Sequence, residues 1–323
     1  MNRYFILLRD EPLLRRLSTV QLIAYFGAWF TNVAIFTLLL QLGASAFVVA
    51  AVAALHFLPG VLQAPFSGAL IDKITPKRLM LLLMGIEIAA TLPLMLVDDI
   101  AHLWLLYVLV FVRMGASSFY FTLEMALLPR FLSRTALKQA NEIHSVIWSF
   151  SYTVGMAVSG IAVYAIGVKI AFLADALLFS CALLLLKSAR FPHLHHKNTV
   201  PYFSLLQESI TYLKRSPLTR HLIVLHAVVG FTAFDGLVAL MTEVYYVPVV
   251  AAPLAIGMLH AFRALGLVTG PLFFGRWITV GRLPLLMLLQ GMSIILWAAL
   301  IEHFYASLAA SILVGFFTTT LWS

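Results

Sequence analysis

The sequence predicts an all-α polytopic membrane protein, and two features of its composition support that fold class. Of its 323 residues, 62% are hydrophobic and 11% are charged, whereas soluble domains are about 45–50% apolar and about 25% charged. The apolar residues also form continuous stretches of about 20, long enough to cross a hydrocarbon core of about 30 Å as helices. This composition excludes a soluble enzyme, and the continuous stretches lack the alternation that is typical of a transmembrane β-barrel.

Ten apolar stretches are predicted to span the membrane, six before the longest polar segment and four after it. They cover residues 18–42, 46–71, 78–97, 103–128, 142–166, 168–187, 221–247, 252–275, 283–301 and 303–323. This division predicts a six-helix bundle over residues 1–187, a cytoplasmic linker over 188–220 and a bundle of four helices over 221–323. Within the linker, residues 201–215 place their apolar side chains on one helical face, which predicts a helix lying at the membrane surface.

Basic residues lie mostly in alternate connections between the spans, and this pattern predicts the orientation of the chain. All of the 21 lysines and arginines except Arg113, Lys169 and Arg263 fall before the first span or in every second connection after it. Because cytoplasmic connections carry the excess of Lys and Arg, we expect a cytoplasmic N-terminus in a multi-pass protein of a plasma membrane, the bacterial inner membrane. The net charge of +8 is therefore a topology signal and does not indicate a nucleic-acid partner.

The connection between the second and third spans carries a glycine, an aspartate and a basic cluster. It reads Gly68-Ala-Leu-Ile-Asp72-Lys73-Ile-Thr75-Pro76-Lys77-Arg78. The glycine permits close approach of neighbouring backbones, the aspartate can pair with cations or cap a helix, and the basic residues hold the turn in the cytoplasm. The turn resembles the signature of the Major Facilitator Superfamily of secondary transporters, with Thr75 replacing the usual glycine and Pro76 a basic residue. The resemblance implies a conformational latch between two helical bundles, formed by Gly68, Asp72, Lys73, Lys77 and Arg78; an ordinary basic turn is the alternative.

A second set of motifs resembles one branch of that superfamily, the enterobactin-exporter-like and macrolide-exporter-like group. The motifs are Ala126-Leu127-Leu128-Pro129, then Leu137-x-x-Ala140-Asn141, then Ala171-Phe172-Leu173-Ala174-Asp175-Ala176-Leu177-Leu178-Phe179. The resemblance implies a twelve-helix exporter of siderophores or drugs, usually driven by proton antiport, so the chain is expected to be truncated after its tenth helix. Two positions depart from the pattern: Thr122 replaces a proline, and Ser159-Gly160 keeps only part of the glycine-rich antiporter motif.

Ionisable residues inside the predicted spans are the main candidates for a transport pathway, because a charge in hydrocarbon costs about 2.5–3.5 kcal/mol. At about 1.5 Å per residue from the outer ends of the spans, Glu87 and Arg113 lie at similar depths, and so do Asp235 and Arg263. The matched depths would allow each set to form an ion pair. Arg113 precedes Gly115 and resembles the arginine-glycine motif in the fourth helix of the family, which implies a functional role; a structural ion pair is the alternative.

Three further carboxylates are weaker candidates. Glu124 lies near the cytoplasmic end of the fourth span, where we expect a solvated carboxylate. Asp175 lies within the sixth span and is expected to make structural hydrogen bonds. Glu243 lies near the outer end of the seventh span, where it lines an opening or faces water.

The histidines fall into a loop cluster and a membrane group. His193, His195 and His196 could bind a transition metal and would then indicate metal efflux, but with no cysteine or carboxylate beside them we interpret the loop as solvated, with no metal or cofactor. The membrane group is interpreted as interhelical packing residues, with proton relay as the alternative. Its members are His56, His144, His226 and His260.

The function predicted from these features is secondary active transport, with a proton as coupling ion and a small amphipathic molecule, such as a siderophore or drug, as substrate. An enzyme is not expected, because Asp235-Gly236-x-x-Ala239 lacks the arginine of a membrane phosphotransferase motif, and a Gly-rich phosphate loop for ATP is absent. Two alternatives stay open: a truncated, non-transporting paralogue that binds or assembles with a partner, and export of lysophospholipid or metal.

Overall fold

The computed structural model describes residues 3–71, 73–191, 202–221, 223–224, 235–274 and 282–322, and within these ranges the ordered elements are helices. Thirteen α-helices are numbered here in chain order. They are α1 (Arg3–Asp10), α2 (Pro12–Gln41), α3 (Ala46–Leu55), α4 (Leu58–Ile71), α5 (Pro76–Thr91), α6 (Leu103–Leu127), α7 (Arg134–Ile166), α8 (Val168–Ser188), α9 (Tyr202–Arg215), α10 (Asp235–Met241), α11 (Ala252–Phe274), α12 (Leu283–Ala299) and α13 (Phe304–Trp322). Short 3₁₀ segments follow α5 and flank α6, and a π-helical turn, Thr242–Tyr246, follows α10.

Seven of the described helical segments are long and apolar enough to cross a membrane. They are Pro12–Gln41, Ala46–Ala64, Pro76–Leu96, Ile100–Arg130, Arg134–Ile166, Val168–Ser188 and Ala252–Gly270. Two shorter apolar helices, Pro284–Ala299 and Phe304–Thr318, occupy the ninth and tenth predicted spans. The predicted seventh span lies partly outside the described residues, so the count of ten is not confirmed.

Prolines interrupt two of the spans that the sequence predicts as continuous. A turn at His56 and Phe57 divides the predicted 46–71 helix into α3 and α4, and the 78–97 helix changes to a 3₁₀ segment at Leu92. Pro59 and Pro93 lie just after these points. Proline lacks the N–H that an α-helix needs and its ring crowds the preceding turn, so the ladder of hydrogen bonds breaks there.

Helix α7 begins eight residues before the predicted start of its span. Ser133 caps it: the Ser133 carbonyl accepts from the Leu137 amide at 2.8 Å and the Ser133 Oγ accepts from the Ala136 amide at 3.3 Å. Serine at this position satisfies amides that have no partner within the helix. The polar first turns therefore extend the apolar helix at one end, which hydropathy alone does not detect.

The chain forms two compact units. The first comprises Met1–Ile23, Ala51–His144 and Ala176–Phe234, and the second comprises Ala24–Ala50, Ser145–Asp175 and Asp235–Ser323. Each has its own buried apolar interior, with Leu17, Met80 and Leu106 in the first and Phe36, Phe172 in the second. The division at 187 and 220 into bundle, linker and bundle stays a prediction.

Glycines allow close helix packing in the second unit. A Cβ at Gly160 of α7 would lie 2.7 Å from the Pro253 carbonyl oxygen, and one at Gly257 of α11 would lie 2.8 Å from the Gly160 Cα. Along α11, Gly266 faces the backbone of α13, where a Cβ would lie 2.6 Å from the Phe316 nitrogen, and Gly315 of α13 faces the Arg263 carbonyl. Such small-residue contacts are typical of helix pairs in membranes.

Polar contacts in the first unit fix the end of α8. The Lys77 ammonium donates to the Ala189 carbonyl at 2.7 Å, and the Arg16 guanidinium donates to the Ser188 hydroxyl. Cationic side chains at a helix C-terminus donate hydrogen bonds to carbonyls that lack a partner within the helix. Their positive charge also interacts favourably with the negative end of the helix dipole. A helix also forms in the segment for which the sequence predicts a surface helix, as α9, and it contacts α4; its position at the membrane surface stays a prediction.

Candidate functional site

Arg113 lies inside the first unit, where α6 packs against α5. Its side chain is 3% exposed, and its Nε donates to the Thr91 hydroxyl at 3.1 Å. That hydroxyl in turn donates to the Glu87 carbonyl oxygen at 2.8 Å, and the Glu87 side chain is also 3% exposed. The sequence therefore locates both buried ionisable groups on facing helices, and the structure adds Thr91, one turn along α5 from Glu87, as the acceptor for Arg113.

Glu124 forms a second polar cluster in the first unit, and the expectation of a solvated carboxylate is wrong. It is 3% exposed, and its Oε2 accepts from the Gln21 Nε2 of α2 at 3.2 Å. The same Gln21 nitrogen contacts His144 Nδ1 of α7. The face of α6 that bears Glu124 is buried up to the last turn of the helix. A position near the helix end therefore does not expose this side chain.

Asp175 is buried in the second unit. Its Oδ2 accepts from the Thr31 hydroxyl of α2, so the hydrogen bond expected for this carboxylate is present in the structure. Glu243 lies in the π-helical turn and is exposed.

The second predicted ion pair is only partly described. Helix α10 begins at Asp235, whose side chain lies outside the described residues, and Arg263 is half-buried on α11. The pairing of Asp235 with Arg263 therefore stays a prediction.

An aromatic cluster with one buried histidine lies in the second unit. Trp29 contacts Tyr152 and Trp148 with ring centroids 4.6 and 6.2 Å apart, and Trp148 stacks on Tyr152 at 5.3 Å. The Tyr152 hydroxyl lies 3.1 Å from the Nδ1 of His260, which is 0% exposed. Gly155 lies under Trp29, where a Cβ would be 2.8 Å from the indole ring. The cluster joins α2, α7 and α11.

The predicted latch residues are placed unevenly. Asp72 lies outside the described residues. Gly68 is exposed, and within the described part of the chain no atom comes within 4 Å of a Cβ built there; the close backbone approach expected at Gly68 stays a prediction. Lys73 and Arg78 are exposed, and Lys77 binds the end of α8.

A metal site is not found among the described residues, in which no three His, Cys, Asp or Glu side chains form a group that could hold an ion. The histidine cluster at 193–196 lies outside those residues. An apolar groove of about 420 Å³ between α4, α5 and α6 is lined by side chains such as Leu62, Phe66 and Phe111, with no ionisable group in its lining. It does not resemble a path for a charged solute.

Sequence reasoning missed Gln21 and the role of His144 as its partner. Gln21 is separated by 103 and 123 positions from the two residues that it contacts. A glutamine within a predicted span, flanked by apolar residues, was the available signal, since a polar side chain in hydrocarbon needs a partner.

Comparison with known families gives one match that covers almost the whole chain. The family described as Major Facilitator Superfamily matches residues 17–323. Among curated proteins, the chain is 28% identical over 218 residues to a protein of Bacillus subtilis (strain 168) described as the uncharacterized MFS-type transporter YfiS. The alignment covers 66% of this chain and 52% of that protein, so the chain spans about half the length of the curated relative that it matches.

Solved structures of similar fold are also transporters by their titles. A bacterial homologue of the human lysosomal transporter Spinster matches with a TM-score of 0.69 at 14% identity, covering 100% of this chain and 75% of that one. The nucleoside transporter NupG matches with a TM-score of 0.68 at 13% identity, covering 96% and 80%. At these identities the likeness shows the fold alone.

Proposed function

Because the chain belongs to the Major Facilitator Superfamily, a family of transporters and not of enzymes, we propose that it works in a secondary active transporter. The transporter exchanges protons for a small amphipathic molecule, siderophore-like or drug-like, and exports it by alternating access. The substrate, the proton coupling and the direction of transport are parts of this proposal. They are supported by the motif resemblance from Ala126 to Phe179 and by the polar groups inside the first unit.

The observation that carries the proposal is the burial of two ionisable residues on one membrane helix. Arg113 and Glu124, both on α6, are 3% exposed and each makes a hydrogen bond to another helix. A charge in hydrocarbon is costly even on the lenient insertion scale, about 2.5–3.5 kcal/mol, so a purely structural helix gains little from such residues. Transport gives such residues a role, because a buried carboxylate can carry protons and a buried arginine can bind an anionic group of the substrate.

The test is flux driven by a pH gradient in inverted membrane vesicles, with ethidium, a macrolide and a catecholate siderophore as probes. We expect the native protein to accumulate at least one probe when the vesicle lumen is acidic. Replacing both Glu87 and Arg113, as Glu87→Gln with Arg113→Met, leaves no stranded charge. The double variant should therefore reach normal abundance in the membrane and lose its flux.

Two results would count against this account. Absence of gradient-driven accumulation of every probe by the native protein contradicts proton-driven export. Full flux from the double variant assigns Glu87 and Arg113 to a structural pair and removes them from the pathway. A matched control is Glu142→Gln, which removes a carboxylate that is bound at 3.1 Å by the exposed Arg3 and should leave flux unchanged.

A further inference from the structure

We propose that Glu124 and His144 form a two-proton site in which the side-chain amide of Gln21 couples the two protonation events. This inference rests on the proposed proton-driven transport and specifies where the protons bind. The three side chains come from α6, α7 and α2, and all three lie in the first compact unit. Glu124 and Gln21 are 3% and 2% exposed, whereas His144 is half-buried.

The geometry of the amide specifies one protonation state. Gln21 Nε2 carries two hydrogens, and it lies 3.2 Å from Glu124 Oε2 and in contact with His144 Nδ1. An amide nitrogen only donates, so both partners must accept. A carboxylate oxygen accepts, and an imidazole Nδ1 accepts only when it bears no proton. The observed arrangement therefore requires a His144 Nδ1 that bears no proton, and with Glu124 in its ionised form the site charge is −1.

Proton binding reverses these requirements. A proton on His144 Nδ1 makes that atom a donor, which opposes the N–H of Gln21 and favours rotation of the amide to present its oxygen. The same rotation places the amide oxygen against the Glu124 carboxylate. Because two acceptors cannot form a hydrogen bond, the carboxylate then favours binding a proton, which it can donate to the amide oxygen. With the second proton on Oε2, both groups donate to the amide oxygen and the site charge is +1. One amide therefore links the uptake of two protons from water.

Several charged groups along these helices bind partners outside the three-residue site. Arg16 of α2 donates to Ser188, and Glu142 of α7 accepts from Arg3 and Tyr4. On α5 and α6, Lys77 donates to Ala189 and Arg113 to Thr91, three turns of α6 before Glu124. Tyr120, one turn of α6 before Glu124, is buried, as are Glu87 and Tyr152. The other ionisable side chains on these segments are Arg15, Tyr25, Arg78, Tyr107, Arg130, Arg134, Lys138 and Tyr164.

The difference in burial gives the protons a route. His144 is half-buried and its ring lies on Phe121, with centroids 5.3 Å apart, while Gln21 and Glu124 are enclosed. The imidazole is the less buried end of the site, and in this proposal protons enter there. Because the amide belongs to α2 and the two titrating groups to α6 and α7, a change in protonation alters hydrogen bonds among three helices at once. Such a change can shift the balance between two helix arrangements.

The experiment is an infrared pH titration of the purified full chain in liposomes, following the carboxylic acid band that Glu124→Gln removes. In the native protein we expect this band to rise over a narrower pH range than a single proton gives. Gln21→Met keeps the length of the side chain but has no amide, so the band should remain and its titration should broaden to that of one proton. His144→Phe, which keeps the packing on Phe121, should broaden it equally. Glu142→Gln is the control and should leave the curve unchanged.

The outcomes separate this inference from the proposed function. A one-proton curve in the native protein, or a curve that is unchanged by both Gln21→Met and His144→Phe, overturns the coupled site even if pH-driven flux is present. A steep native curve that both variants broaden, in a protein without pH-driven flux, supports the coupled site and contradicts the proposed transport.

Discussion

At the scale of single residues, the buried polar side chains of the first unit are arranged in short chains of hydrogen bonds and not as isolated charges. Arg113 is held by Thr91, and Glu124 by Gln21. Each contact satisfies one buried polar atom, and a buried donor that loses its acceptor costs about 1–3 kcal/mol. The neutral residues Thr91 and Gln21 are therefore as important to these sites as the charged ones.

Thr91→Val tests this view at the Arg113 contact. Valine has nearly the shape of threonine but cannot accept from the Arg113 guanidinium, so we expect a loss of about 1–3 kcal/mol in unfolding free energy. The measurement is thermal or denaturant unfolding in detergent. Thr122→Val on α6 is the control, because the Thr122 hydroxyl donates to the Ser118 carbonyl of its own helix. Equal stability of the two variants would contradict the importance of the Thr91 contact.

The sequence predicts the candidate residues better than it predicts their surroundings. The burial of Glu87 and Arg113 follows from their positions within apolar spans. Glu124 also lies within a predicted span, but its position near the span's end predicts exposure, and its contact with Gln21 joins residues that are remote in sequence. A span pattern gives the depth of a residue along a helix, and the side of the helix that meets other helices is settled only by tertiary packing.

At the scale of helices, apolar runs predict existence and approximate length, while local chemistry sets the boundaries. Pro59 divides the second predicted span into α3 and α4, and Ser133 starts α7 early. The amphipathic pattern over 201–215 correctly predicts α9. The close pairing of α11 with α13 has no signal in hydropathy, since it depends on Gly266 and Gly315 facing opposing backbones.

Gly315→Ala is expected to separate α11 from α13. A methyl group at this position would lie well inside contact distance of the Arg263 carbonyl, and overpacking of this kind costs typically about 1–3 kcal/mol. Gly291→Ala on α12 is the matched control: a Cβ there meets no described atom within 4 Å, and alanine favours a helix by up to about 1 kcal/mol over glycine. Melting temperatures in detergent should fall for the first variant and stay level or rise for the second. The reverse order would contradict the close packing.

At the scale of the whole molecule, family membership and fold likeness agree on a multi-pass membrane protein of a transporter family. The chain covers about half of its curated relative, and its transport activity is a proposal that rests on its own residues. The cytoplasmic position of the N-terminus, argued from the basic connections, stays a prediction. We propose that the polar sites of the first unit give the transport cycle its dependence on protons.

Proton movement that accompanies probe transport is the most direct test of this account. Inverted vesicles containing the protein are energised to an acidic lumen, and the luminal pH is followed as each transported probe is added. We predict that the lumen becomes less acidic as the probe enters, that Glu124→Gln abolishes this response, and that Glu142→Gln preserves it. Accumulation of the probe with no change in luminal pH, or the same response from Glu124→Gln as from the native protein, would contradict proton coupling through this site.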